Sequence, residues 1–290
     1  MPGVKIQKLA TANGFLAIDL PDAQLAVGPT RLAPKILQDG AEWLARSVTY
    51  TFATFGLQHS GASAGINAKP EERDDAITAY MEDVAPMVAE GRWLTWPSTG
   101  VTADDLAPLR AKDARPLDDA EMTAAGVVAA ADAMLGGGGV VGTAVAFVGA
   151  GPIVDAAKAH AAKALAHVVE GGLDADARVV FVAGKAGAVD HDAARTIKAS
   201  LVVPLSPLVV TAKAYARLRE AGHTYMPDFV ALATPLLAAL DPDKGDAITR
   251  VREVAAALAP EGPGAWLAAC GVAEAFLHTW QDELPFGRPI

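Results

Sequence analysis

At 290 residues and 52% hydrophobic content the chain is long enough to bury a large core, as one sizeable domain or two smaller ones. Its net charge of −10, spread along the sequence, argues against nucleic acid or an anionic membrane as a partner, since both require a basic surface. A single cysteine, Cys270, excludes an internal disulfide and fits a reducing compartment. It lies in the apolar stretch AACGVAEAF and reads as a buried thiol, with a nucleophile as the sharper alternative. The amino-terminal MPGVKIQKLATANG lacks the apolar segment of a signal peptide, and no uncharged apolar run reaches the roughly 18 residues of a membrane helix. A soluble, cytoplasmic protein is expected.

In chain order, GFLAIDL and AQLAVG are short apolar runs separated by Pro21 and Asp22, a strand, turn, strand signal. Pro70, Glu71 and Glu72 open a helix whose apolar positions Ile77, Tyr80, Met81, Val84 and Val88 recur at helical spacing. The segment from Asp104 to Asp119 is polar and irregular, and a domain boundary is expected there. From Ala120 the pattern alternates. A helix over 120–135 leads through Gly136 to Gly139 into the strand TAVAFV, the turn Gly149-Ala150-Gly151 and an alanine-rich helix reaching about Glu170. RVVFVAG, SLVVPLS and HTYMP are further strands, so the second half predicts a parallel sheet wound with helices on both faces. The tail from about Asp243 predicts two helices, the last ending near Pro285. The expected domains are 1–118, joined by C-terminal helices over 260–290, and 119–259.

Gly149 and Gly151 are the first two glycines of a dinucleotide fingerprint, which permit a tight turn and the approach of a pyrophosphate to a helix N-terminus. The third position is Val154, which is expected to press on the helix packing or on the phosphate. The acidic residue that such a site places after its second strand is not found at the usual spacing, and one strand-helix unit is missing. The second domain therefore reads as truncated, with an incomplete adenosine half and weak or absent NAD(P) binding.

The run Val48 to Ile66, VTYTFATFGLQHSGASAGI, resembles the substrate motif of the Glu/Leu/Phe/Val amino-acid dehydrogenases, in the leucine and phenylalanine branch. There an MTYKNA run and a GGGK run each supply a lysine, one holding the substrate carboxylate and the other polarising the reacting carbon. The matching positions are Thr51 and Ser63, which carry no charge. The segment GFLAIDLPDAQLAVGPTRL is similar to the family's strand pair, with Gly28, Pro29, Thr30, Arg31 and Leu32 against a GGTRM-like run. TAAGVVAAADAML, AGAVDHDAARTIKASLVV and LREAGHTYMPDFVALAT resemble later family blocks in the same order. The resemblance implies an α/β, two-domain amino-acid-dehydrogenase-like fold with a truncated Rossmann-like second domain, a cleft between the domains, and a homo-oligomer.

The departures are equally consistent. Ser98 stands at the family's catalytic aspartate, Leu232 at the asparagine of its NAGG run, Thr234 and Pro235 at the two glycines, and Pro207 at the asparagine of its EGANGP run. A hydroxyl with no adjacent base is a poor proton shuttle near pH 7, and acid-base catalysis contributes about 100- to 10,000-fold. Oxidative deamination by the family mechanism is not expected. The expected role is a reused cleft that binds or acts on a small amino-acid- or 2-oxo-acid-like metabolite. Two alternatives stay open: an NAD(P)-dependent oxidoreductase with substituted residues, and a noncatalytic interaction protein.

The candidate catalytic residues are His59, Ser63 and Ser98, and the candidate substrate-binding residues are Arg31, Thr51, Ser60, Asn67, Thr99 and Asp228. His59, Ser60, Ser63, Asn67 and Ser98 are expected to face one cavity. Lys185 is a solvated loop lysine or a compensating amine. Asp190, His191 and Asp192 have ligand chemistry but adjacent positions, so a helix cap is expected rather than a metal.

Overall fold

A computed structural model describes residues 4–111, 113, 115, 117–285 and 287–290. The chain forms two compact units, Met1–Leu117 with Val272–Pro289, and Asp118–Gly271. The return to the first unit thus comes at Val272, inside the last helix, rather than at 260. No described helix is long and apolar enough to cross a membrane.

The first unit contains strands β1 (Lys5–Lys8), β2 (Gly14–Ile18), β3 (Ala26–Ala33), β4 (Ser60–Asn67) and β5 (Trp93–Pro97), with helices α1 (Gln38–Thr54), α2 (Arg73–Ala89) and α3 (Ala103–Arg110). Strand order is β1-β2-β4-β3-β5, so the expected strand pair β2 and β3 is separated by β4. β4 runs antiparallel to β2 and parallel to β3, and β5 is parallel to β3. On one face Leu16, Ile18, Ala62, Ala64 and Ile66 pack with Ile77, Tyr80, Val84, Met87 and Trp93. On the other, α1 lies so close that a Cβ on Gly61 would sit 1.9 Å from the Ala45 carbonyl oxygen. The segment expected to be irregular from Asp104 begins instead with α3, started by a capping box between Thr102 and Asp105. Residues 112, 114 and 116 of that segment lie outside the described residues.

The carboxyl-terminal strap closes this unit. Buried Arg46 donates from Nε to Asp19 at 2.9 Å and from Nη1 to the carbonyls of Pro285 (2.7 Å) and Gly287 (3.0 Å). Burial pushes the Asp19 carboxyl up, opposed by the Arg46 charge. Breaking such a buried pair from one side typically costs about 3–5 kcal/mol.

The second unit holds α4 (Ala120–Leu135), β6 (Ala144–Val148), α5 (Pro152–Lys163), β7 (His167–Val168), β8 (Val179–Val182), α6 (His191–Ala194), β9 (Leu201–Pro204), α7 (Ala212–Glu220), β10 (Thr224–Tyr225), α8 (Asp228–Ala231), α9 (Thr234–Leu240) and α10 (Ala247–Leu258). Helix α11 (Ala265–Leu277) carries the chain back and ends before Pro285. The sheet is parallel in every pair, with order β10-β9-β8-β6-β7. The chain winds outward from β6 in both directions, as in a doubly wound fold. On the β7 side winding stops early. After α5 and the two residues of β7, residues 169–178 return without a helix to β8 on the other side of β6. The truncation therefore falls after the second strand, not before it.

Candidate functional site

The parallel strands β3, β4 and β5 end together at one edge of the first sheet. Pairing puts Thr30 beside Ala64 and Pro97, and Arg31 beside Gly65. Thr30 bonds Tyr80 and Thr95, each at 2.7 Å, on the α2 face. Strand alternation therefore turns Arg31 to the opposite face, together with Ser63 on β4. Ser98 continues the β5 ladder through its N–H to the Thr30 carbonyl (3.0 Å), which brings it alongside Arg31.

Arg31 is the unusual member of this group. Its Nε and Nη2 are buried and have no hydrogen-bond partner among the described residues, and neither has the fully buried Ser63 Oγ. Desolvation pulls the Arg31 guanidinium below the ordinary arginine range. Nε and Nη2 form the side-on edge of the guanidinium, where two N–H bonds run parallel and match the two oxygens of a carboxylate. An unmade bond to a buried donor costs about 1–3 kcal/mol, and more for a charged group. Beside Arg31, Gly65 carries no side chain, and its partner on β2, Phe15, lines a shallow pocket of about 370 Å³ with Ile36 and Asn67.

The other candidates are not gathered here. Ser60–Asn67 is a central strand rather than a loop, so its residues alternate between faces and cannot line one cavity. Ser60 Oγ accepts from Leu20 N and donates to the Gly61 carbonyl, both at 2.8 Å. His59 packs edge-on against Phe52 with ring centroids 5.4 Å apart. These two lie at the start of β4, whereas Asn67 lies at its end, roughly 23 Å away at 3.3 Å per residue. Ser98 and Arg31 are at that far edge as well. The expected common cavity of His59, Ser60, Ser63, Asn67 and Ser98 is therefore not formed.

Asn67 Oδ1 accepts from Ile36 N at 2.6 Å and so fixes the entry to α1. Thr51 Oγ1 is turned back on the Ser47 carbonyl (3.3 Å) within α1, and Thr99 is exposed with its carbonyl accepting from Leu32 N. In the second unit, buried Asp228 accepts from Leu208 N at 2.7 Å. It thereby fixes the turn after β9, where Leu208 is held at φ 57°. Asp190 caps α6 through Asp192 N and Ala193 N, and Lys185 is exposed.

The glycine turn after β6 is built as the sequence predicts. Gly149 and Gly151 have φ of 103° and 117°, and a Cβ on Gly149 would lie 2.5 Å from the Ala183 carbonyl oxygen. Of the two places expected for the Val154 side chain, the helix packing is the one it takes: it is buried within α5. One expectation needs correction. The acidic residue exists: α5 ends at Lys163, β7 is the second strand, and exposed Glu170 follows it by two residues. Sequence reasoning missed Glu170 by extending α5 to it. Counting about 20 residues from the glycine turn would have found it.

No protein-family model matches the chain, and no curated protein matches its sequence. Solved structures do match in fold. L-tryptophan dehydrogenase from Nostoc punctiforme is 21% identical, with 95% of each chain covered and a TM-score of 0.72. The Leu-bound form of the hetero-hexameric glutamate dehydrogenase from Thermus thermophilus is 18% identical over 90% of this chain and 84% of that one, with a TM-score of 0.72. Plasmodium falciparum glutamate dehydrogenase is 12% identical over 94% and 84%, with a TM-score of 0.68. The chain has the amino-acid-dehydrogenase fold.

Proposed function

We propose that the protein uses this fold to bind a small carboxylate metabolite, of the amino-acid or 2-oxo-acid kind, without the NAD-dependent oxidative deamination of the dehydrogenases. The observation that carries the reading is the side-on edge of Arg31, buried and without an acceptor among the described residues, on the same sheet face as the equally unpaired Ser63, two positions back along the neighbouring strand. A ligand carboxylate would supply two acceptors to the fork and could take a third bond from the serine hydroxyl. Thr51, Ser63 and Ser98, which occupy the positions of the family's two lysines and aspartate, hold neither an ammonium nor a carboxylate. Amino-acid oxidation at those positions has no general acid or base to draw on.

The test is calorimetric titration of the full chain with a panel of short carboxylic acids, beside Arg31→Met. Removing the unpaired guanidinium is expected to raise stability by about 1–3 kcal/mol while abolishing binding. A variant that loses stability and keeps binding would reject the reading. A steady-state assay with NAD or NADP and leucine, valine, phenylalanine or glutamate is expected to give no turnover.

Glu170 favours a second reading, an NAD(P)-dependent oxidoreductase with other substrate chemistry. Gly149, Gly151 and the α5 N-terminus would hold a pyrophosphate, and Glu170 the hydroxyls of a ribose. A nicotinamide cofactor so held would supply hydride transfer. Pro207 and Leu232 offer it no side-chain amide, and among the described residues no third strand flanks β7. Saturable micromolar NADH binding that disappears in Glu170→Ala would establish this reading.

A further inference from the structure

We infer that the Arg31 site selects carboxylates that carry no α-ammonium group, such as 2-oxo and 2-hydroxy acids, over the corresponding amino acids. The inference rests on the carboxylate reading above and concerns what the same site accepts next to the carboxylate. A zwitterionic amino acid brings an ammonium to within about one residue width of the group that holds its carboxylate. That ammonium needs an anion or several acceptors of its own once it leaves water. Among the described residues, the strand positions that flank Arg31 on its face carry no anion. By pairing, its neighbours there are Pro29, Ser63, Gly65, Phe15, Trp96 and Ser98.

Two carboxylates of the first unit, Asp19 and Asp39, stand outside those flanking strand positions. Asp19 lies further down β2's side of the sheet, fully buried against Arg46. Asp39 is exposed in the first turn of α1, on the rim of the pocket with Phe15 and Asn67. An ammonium placed beside Arg31 would meet a like charge in a desolvated setting, where repulsion is stronger than in water. A 2-oxo or 2-hydroxy oxygen meets no such repulsion and can accept a hydrogen bond from Ser63 or Ser98.

The experiment uses the full-length chain and matched pairs that differ only at the α-carbon: 4-methyl-2-oxopentanoate against leucine, and phenylpyruvate against phenylalanine, each titrated by calorimetry at pH 7. The oxo acid of at least one pair is expected to bind tenfold or more tighter than its amino acid, with binding lost in both Arg31→Gln and Arg31→Met. Ser98→Asp, which places a carboxylate alongside Arg31, is expected to shift the ratio at least fivefold toward the amino acid. An amino acid that binds as tightly as its oxo acid, with Arg31 still required, overturns the selectivity and leaves the carboxylate site standing. An unchanged ratio in Ser98→Asp overturns it too. Failure of both members of each pair to bind, or binding indifferent to Arg31, rejects the site itself and the selectivity with it.

Discussion

The two sheets are built in opposite ways. The first is crowded: among the described residues it has five strands, a Cβ on Gly28 would meet the Ala62 backbone of the neighbouring strand, and α1 covers one face closely enough that Gly61 leaves no room for a methyl group. Under the function proposed above, its differences from a dehydrogenase lie in side chains, with Thr51, Ser63 and Ser98 neutral on this frame. The second keeps its glycine turn and an acidic residue after β7, yet its frame is cut short beyond that strand. Exchange of side chains alters chemistry and leaves a rigid scaffold able to hold a different ligand. Loss of a strand removes a wall, and side chains that survive beside it have less to hold a ligand against.

The sharpest contrast between the sheets is mechanical. In Gly61→Ala the new methyl group would meet the Ala45 carbonyl at 1.9 Å and the Thr49 nitrogen at 2.5 Å, both backbone atoms that cannot swing away. A loss above about 3 kcal/mol is expected from chemical denaturation. In the second unit Gly142→Ala meets nothing within 4 Å and is strained only by its φ of 65°, so it should cost about 1 kcal/mol. Equal losses at the two positions would remove the distinction between a crowded and an open frame.

A chemical contrast comes next. Burial pushes the Tyr80 phenol from 10.0 up to about 12, against the opposing hydrogen bonds of Thr30, Trp93 and Thr95. Because the folded value is the higher one, this stabilisation is complete below pH 10 and disappears as pH rises toward 12. Thermal melts of Tyr80→Phe between pH 9 and 12 should therefore fall less steeply than those of the parent protein, while Tyr225, also raised by burial in the second unit, continues to contribute. Parallel slopes would mean that the first sheet does not depend on its buried phenol.

The smallest expected effect lies at the shortened edge. Leu165 has φ 62° and is 70% exposed immediately before β7, near exposed Val141 and Val168. Leu165→Asn should gain about 0.5 kcal/mol, because asparagine tolerates the left-handed region that leucine does not. A loss on this substitution would show that the leucine is packed against something in solution.

The parts that could be read ahead of the structure are those where local pattern and tertiary outcome agree. TAVAFV, RVVFVAG and SLVVPLS are strands of a parallel sheet buried on both sides, which is why they are uninterrupted apolar runs. SGASAGIN fails as a strand on local grounds, since it is made of serine, glycine and alanine apart from Ile66 and Asn67. Gly61 is there because α1 presses on it through Ala45, Val48 and Thr49, a cause that lies 12 to 16 residues away in sequence. The end of α5 was hidden for the reverse reason. Alanine continues past Lys163, and the turn is made by Leu165 in a conformation usually left to glycine. The segment from Asp104 to Asp119 reads as polar and irregular, although Thr102 and Asp105 form a helix start that the sequence already displays. Arg31 could be named as a cation, but that its fork lacks acceptors depends on every neighbour that fails to provide one.

The grip of Arg46 on Pro285 and Gly287 orders events during synthesis. Residues 4–111 leave the ribosome first and carry most of the first unit, but the carbonyls that receive Arg46 Nη1 lie about 240 positions later. Glu274, which receives the Tyr50 hydroxyl at 2.9 Å, is similarly late. The second unit, Asp118–Gly271, is contiguous and has all its own residues before those partners emerge. The first unit is thus completed after the second has been made in full, and until residues 272–289 arrive Arg46 has water in place of those two carbonyls.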